Sequence, residues 1–358
     1  MKIVKTIDIY ITKKFLGTFF YAIVLIIMIV VVFDVAENLD EFIGKEVPVN
    51  KIIFKYYMNF IPYFTNLFSG LFTFIAVIYF TSKMAYNTEI IAILSSGVSY
   101  GRMMVPYLFS ALIIATLSFV LGNYIIPPAN KTRVEFRNTY IRNYETNENQ
   151  IHRQIEPGVY IYIERFRSDN VGQNFLLQKF DGKKLVEEIM AENIRWDEQN
   201  QKWILNQYWK RTIHDGHENI IRRYRIDTTL NMRPEEYRTT RDETETMTTP
   251  QIKRHIVSMK MRGVNPTEYE IEKDKRLSGP FSVFILTLIG AGLASRKVKG
   301  GLGFHLGLGM LFSFSYIFFS QISTVFAVSG NMQPLIAVWI PNLSYGVIAL
   351  FILRWASR

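Results

Sequence analysis

The sequence predicts a membrane-embedded helical protein of six transmembrane spans, three on either side of an inserted all-β domain. Three observations carry this reading. Six apolar runs are each long enough to cross a bilayer; a polar stretch from 127 to 276 divides them into two sets of three; and within that stretch long apolar runs give way to short alternating ones. A helix rises about 1.5 Å per residue, so about 20 apolar residues cross a hydrocarbon core of about 30 Å. The runs are Phe15 to Phe33, Phe60 to Phe80, Met103 to Ile126, Leu277 to Ser295, Leu302 to Val328 and Leu335 to Leu353. His305 is the only Asp, Glu, Lys, Arg or His among them. Buried helices of a soluble protein are rarely this free of charge over such lengths.

The first run follows a basic stretch, as a secretory signal would. It is long for one, and no A-x-A-like site follows it, so it reads as an uncleaved first span. Orientation follows from the short loops, where Lys and Arg gather on the cytoplasmic side. Lys2, Lys5, Lys13, Lys14, Lys83, Arg102, Arg296, Lys297, Lys299, Arg354 and Arg358 fall on one side; Lys45, Lys51 and Lys55 occupy the short loop on the other. Both termini are therefore expected in the cytoplasm and the polar domain outside. The same fringe accounts for most of the net charge of +10, and no basic helix or aromatic-interleaved patch points to nucleic acid.

Between the second and third spans lies Asn87-Thr88-Glu89-Ile-Ile-Ala-Ile-Leu-Ser-Ser-Gly97-Val-Ser99. Thr88 is placed to cap a short helix, Glu89 suits its positive first turn, and Gly97 is placed to end it. Ile90, Ile91, Ile93 and Leu94 give it apolar surface, which fits either a peg for a cytoplasmic partner or an amphipathic loop at the membrane surface.

From Ala129 to Thr249 the pattern is that of half-buried strands. Gly158 to Phe166 alternates aromatic and aliphatic residues, and Asn174 to Phe180 ends at the turn Asp181-Gly182. Ala191 to Trp196 and Trp203 to Thr212 flank the polar turn 197–201, and His214-Asp215-Gly216 precedes Ile220 to Ile226. This spacing suggests a sandwich, barrel or jelly roll that folds without disulfides, since the chain has no cysteine. Thr249-Pro250 then opens a helix through Met261 that Gly263 closes, and a charged helix from Pro266 to Arg276 leads into the fourth span. The domains expected are 1–128, 129–249, 250–276 and 277–358.

No phosphate loop, H-E-x-x-H, G-x-S-x-G or cysteine nucleophile is present, so no catalytic constellation or cofactor is expected. Gly290-Ala-Gly292 and Gly303-Phe-His-Leu-Gly307 read as helix-packing glycines. His214 and His217 have a spacing two metal ligands could share, but lie across a polar turn with no third candidate nearby. His305 is either a functional intramembrane group or an interfacial hydrogen-bonding one.

Three segments together resemble the LptF/LptG permeases of the lipopolysaccharide-export ABC transporter: Ile7-Asp-Ile-Tyr-Ile-Thr-Lys-Lys-Phe-Leu16, Thr88-Glu89 through Gly97-Val-Ser99, and Trp339-Ile-Pro-Asn342. The resemblance covers essentially the whole chain. Asp8-x-Tyr10 and Phe33-Asp34-x-x-Glu37-x-Leu39 lean toward the LptG type. It implies three-plus-three spans around a periplasmic β-jellyroll, in the inner membrane of a Gram-negative bacterium. It implies a permease without its own ATPase, partnered by a cytoplasmic LptB-like ATPase dimer, an LptF-like second permease and LptC/LptA-like jellyroll proteins. Thr88, Glu89, Ala92 and Gly97 would then belong to the coupling helix that the ATPase receives. Spans one and five would line a lipopolysaccharide cavity, with Phe319 and Phe326 on its apolar wall. Some family members carry lysines at the end of the first span for the lipid phosphates. Here Asp34, Glu37, Asp40 and Glu41 stand there, leaving Lys45, Lys51 and Lys55 as the nearest cations. A membrane-anchored binding or sensor scaffold without transport activity is the alternative.

Overall fold

The computed structural model describes residues 6–141, 148–167, 170–214, 217–232, 234, 243–261, 265–296 and 301–357. Lys2, Lys5, Asp215, Gly216, Gly263, Lys297, Lys299 and Arg358 lie outside the described residues. Contacts divide the chain into two compact units, one of residues 1–141, 244–252 and 267–358 and the other of residues 142–243 and 253–266.

The first unit is the helical one. Its six long apolar helices are Thr6–Glu37, Val49–Tyr86, Tyr100–Tyr140, Thr267–Ala294, Gly301–Val328 and Pro334–Ala356. All six exceed the apolar runs that announce them, because polar turns of helix extend several spans beyond the hydrocarbon stretch. Arg102 pairs with Asp8, Tyr100 reaches Ser295, and Arg296 donates to the Trp355 carbonyl while stacking on its ring. These contacts gather the starts of spans one and three and the ends of spans four and six on one side, the terminal side.

The first span buries Ile11, Phe15, Phe19, Ile23 and Ile27, a stripe of every fourth residue that winds slowly around the helix. It packs mainly on spans two and three, where Phe15, Phe80 and Tyr107 form an aromatic stack with centroids 5.4 and 5.2 Å apart along Phe80.

Within hydrocarbon every polar group needs a protein partner. Thr81 and Tyr107 pair at 2.9 Å, Ser118 donates to Asn66 at 2.6 Å, and Ser82 meets His305 Nδ1 at 2.8 Å. His305 thus joins the second span to the fifth. In the Trp339-Ile-Pro-Asn342 segment, Pro341 has no N–H to offer the Ala337 carbonyl, and Ser323 of the fifth span donates there instead at 2.6 Å. Asn342 accepts from Tyr316 and donates to the Ser278 carbonyl, tying spans four, five and six together.

Small residues set the closest approaches, though not all those expected. A Cβ on Gly290 would lie 3.0 to 3.1 Å from Phe74 and Val77, and one on Gly292 would lie 2.6 Å from Ile352 Cγ2. A Cβ on Gly303 or Gly307 would meet nothing within 4 Å, so their small-xxx-small spacing does not mark a packed face among the described residues; Gly309 does that work against Ile78. Gly290→Leu is accordingly expected to destabilise the bundle by about 2 kcal/mol through overpacking, read as a lower midpoint of thermal unfolding in detergent. An unchanged midpoint would mean that the glycine is not needed for the approach of spans two and four.

The second unit carries one six-stranded antiparallel sheet whose strands pair in chain order: β1 Glu148–Glu156, β2 Val159–Phe166, β3 Val171–Asp181, β4 Lys184–Asp197, β5 Lys202–His214 and β6 His217–Thr228. An inserted β domain is as the sequence predicts, with β1 in addition; residues 129–140, read as the start of the strand pattern, instead end the third long helix. Along β2 to β5 the buried residues alternate and then slip by one residue. Ile161 and Ile163 are followed by Phe166, Gly172 by Phe175 and Leu177, Ala191 by Ile194, and Leu205 by Tyr208.

The slips align. Glu164, Asn174, Glu192, Gln207 and Tyr224 form one row across the sheet that the pairing register skips, and Asn174 and Gln207 adopt left-handed φ of 51° and 48°. A one-residue slip would turn a straight strand's apolar face outward. Here the slip occurs at a shared crease, so both halves of every central strand turn apolar residues into one core. Ile163, Phe166, Phe175, Leu177, Ile194, Trp203 and Leu205 occupy it. Strand β6 is exposed up to its last residue, and Tyr224 is 87% exposed.

The helix Thr249–Met261 has the expected extent. Its cap is one residue earlier than predicted: Thr248 donates its N–H and hydroxyl to Gln251 Oε1, half of a capping box, while Thr249 donates to Asn123.

Candidate functional site

The segment between spans two and three folds as a short helix, Glu89–Ser95. Gly97 follows its end with φ of +85°, a conformation in which a Cβ would be strained, and its N–H closes on the Leu94 carbonyl at 3.1 Å. Thr88 holds the first flanking position but does not cap the helix. Its backbone is left-handed (φ 62°), and its hydroxyl donates back to the Asn87 carbonyl at 2.6 Å. Ile90 is buried, whereas Ile91, Ala92 and Leu94 face outward. One side of the helix is thus seated in the bundle and the other is free of it.

Glu89 is held from within the chain. Tyr10 Oη donates to Glu89 Oε2 at 2.7 Å, and Lys14 Nζ lies 3.2 Å from the same oxygen and 4.3 Å from the Tyr10 ring centre. Partial burial pushes the Glu89 carboxyl up. Hydrogen bonds from Tyr10, Asn87 and Lys14 and the Lys14 charge outweigh it and hold the group below the usual glutamate range. Past the helix, Ser99 caps the third span by accepting the Arg102 N–H at 3.3 Å. The Arg102 guanidinium binds Asp8 with two parallel bonds of 2.7 and 2.6 Å.

Tyr10, Lys14, Asp8 and Arg102 are neighbours of this helix that the sequence reading did not connect to it. Asp8, Tyr10 and Lys14 stood in the opening motif, and Lys14 and Arg102 had counted as topology charges.

At the other end of the first span, Asp34 accepts from Tyr56 at 3.2 Å and Tyr57 at 2.9 Å. The two tyrosines are adjacent in sequence and reach one carboxylate because Ile52–Tyr57 is π-helical, which narrows the angle between successive side chains. Phe42, Phe60 and Phe136 pack around them. The candidate lipid cations do not converge: Lys51 donates to Tyr140 at 3.1 Å, while Lys55 and Lys45 are exposed. Phe319 packs against the cluster of spans two, four and six, whereas Phe326 is exposed with Leu311, Phe314, Phe318 and Val325. His214 and His217 face each other as the pair closing the β5–β6 hairpin, and no group of His, Asp or Glu among the described residues is arranged to hold a metal.

Two triplets of apolar helices, a β domain between them and a half-seated helix on the terminal side define a multi-pass membrane protein of the permease type. Over residues 9–355 the sequence matches the family described as the lipopolysaccharide export system permease LptF/LptG. The chain belongs to the LptF/LptG family. Over 282 residues, 76% of this chain and 77% of the relative, it is 16% identical to the lipopolysaccharide export system permease protein LptG of Escherichia coli K12. The figures are the same for the LptG of Escherichia coli O6:H1.

Proposed function

We propose that this chain is one permease subunit of an inner-membrane ABC exporter of lipopolysaccharide, with its termini in the cytoplasm and its β domain in the periplasm. The observation that carries the proposal is the uneven covering of the spans. The first and fifth bury only 22% and 17% of their most apolar window, against 33% to 56% for the other four. Tyr21, Val24, Met28 and Val32 on the first span and Leu311, Phe314 and Phe318 on the fifth are left exposed, an apolar wall suited to acyl chains and to a second permease. Lys45 and Lys55, at the periplasmic end in this orientation, supply charge for phosphates. The outward Ile91, Ala92 and Leu94 offer a seat to a cytoplasmic ATPase dimer that does the hydrolysis. The exposed β6 edge, with Ile221 and Ile226, suits hand-over to a periplasmic β-jellyroll partner.

The test is to extract the tagged chain gently from its native membrane and identify what comes with it. The expected result is a cytoplasmic ATPase and a second six-span protein with bound lipopolysaccharide. Recovery of periplasmic proteins alone would favour the scaffold alternative.

A further inference from the structure

We propose that the Glu89–Ser95 helix and the start of the first span are locked into one mechanical body by two contacts, Glu89 with Tyr10 and Lys14, and Arg102 with Asp8. A push on that helix is thereby passed to the first span. The inference rests on the reading of the chain as an ATPase-driven permease and names how its input reaches the cavity wall.

The two contacts flank the helix. Glu89 is its first residue, and Arg102 lies just beyond Ser99, where the third span begins. On the first span, Tyr10 and Lys14 are four residues apart and share a face, whereas Asp8 lies about 200° around the helix from Tyr10. The span is therefore gripped from two sides, which resists both rolling and sliding. A lone exposed ion pair would leave a hinge. Here one contact is bidentate, the other joins a hydroxyl, an ammonium and a ring, and between them Ile90 is buried in the same cluster as Ile11, Phe15 and Met84.

Past Ile27 the span loses its buried stripe, and Met28, Ile29, Val32 and Phe33 are exposed. It is held at its start and, past this uncovered stretch, pinned again where Asp34 accepts from Tyr56 and Tyr57, so a push on its start is carried along the span. Glu89 then acts as a positioning residue within the chain, while the outward face of the helix meets the ATPase.

Asp8→Ala, Tyr10→Phe and the reversal Asp8→Arg with Arg102→Asp separate these roles in the full exporter complex in nanodiscs. The singles should still co-purify with the ATPase, because Ile91, Ala92 and Leu94 are untouched. Each should release on the order of tenfold less lipopolysaccharide per ATP hydrolysed, and the reversal should recover most of the loss. The chain has no cysteine, so Tyr21→Cys and Ser95→Cys, the latter leaving Ile91, Ala92 and Leu94 unchanged, can be spin-labelled without background. Their distance distribution should be narrow in the parent and broad in Asp8→Ala. An unchanged yield per ATP, a reversal without rescue, or an unaltered distribution in Asp8→Ala would each overturn the lock. If the parent chain binds no ATPase, the permease reading falls, and the spin-label distances still decide whether helix and span move together.

Discussion

Glu89→Lys is expected to abolish productive engagement of the Glu89–Ser95 helix while leaving the six spans inserted. The substitution removes the acceptor for Tyr10 and Lys14 and sets a second ammonium against Lys14, at a position where the two groups now lie 3.2 Å apart. Two charge-assisted bonds on a partly exposed pair, exchanged for repulsion, shift the docking equilibrium of the helix by about 2 kcal/mol, or about thirtyfold. Co-purification of the ATPase and export should fall together by at least that factor. Glu89→Gln, which keeps an oxygen for Tyr10, should be milder. Because the folded state holds the Glu89 carboxyl below its usual value, its contribution is complete above the unfolded-state pKa and is lost only as pH falls through the lowered one. The thermal stabilities of the parent and Glu89→Gln should therefore differ at neutral pH and converge on acidification. Export by Glu89→Lys at the parent level would remove this helix from the mechanism.

How much of this was legible in the sequence differs by element for physical reasons. The six spans were, because a run of about 20 uncharged residues has few other homes. Gly97 was, because a helix end that turns left-handed favours glycine. The cap at Thr88 was misread for a related reason: Asn87 and Thr88 form the turn out of the second span, and the left-handed backbone at Thr88 aims its hydroxyl backwards. In the β domain one predicted strand, Asn174 to Phe180, opens on the crease itself, where alternation restarts, and so misses the out-of-phase start of β3 at Val171. Strand β1 offers Ile151 and Ile155 amid polar neighbours, too few for a period-two signal. The lock on the first span was not legible at all. Lys14 and Arg102 look like any topology-setting charges until the fold brings Glu89 and Asp8 to them across 75 and 94 positions of sequence.

The creased sheet makes the second large expectation specific. Trp203→Ala should unfold the core of the β domain while the helical unit stays intact. The Trp203 ring is fully buried, 5.1 Å from Trp196 and 6.3 Å from Phe166 between ring centres, and its Nε1 donates to the Met232 carbonyl at 3.0 Å. Truncation costs about 4 kcal/mol for the cavity alone, comparable with the whole stability of a marginal domain. Hydrogen exchange on the full chain in detergent should then speed up by about three orders of magnitude for amides of β3, β4 and β5, with the spans unchanged. Trp203→Phe keeps most of the volume and strands only the Met232 carbonyl, for about 1 to 2 kcal/mol. Protection of β3 to β5 at the parent level in Trp203→Ala would mean that Trp203 does not hold this core together. If protection is lost as expected, the same variant tests the permease reading from its far end: ATPase co-purification should persist, because Glu89, Ile91 and Arg102 are untouched, and lipid release to a periplasmic acceptor should stop.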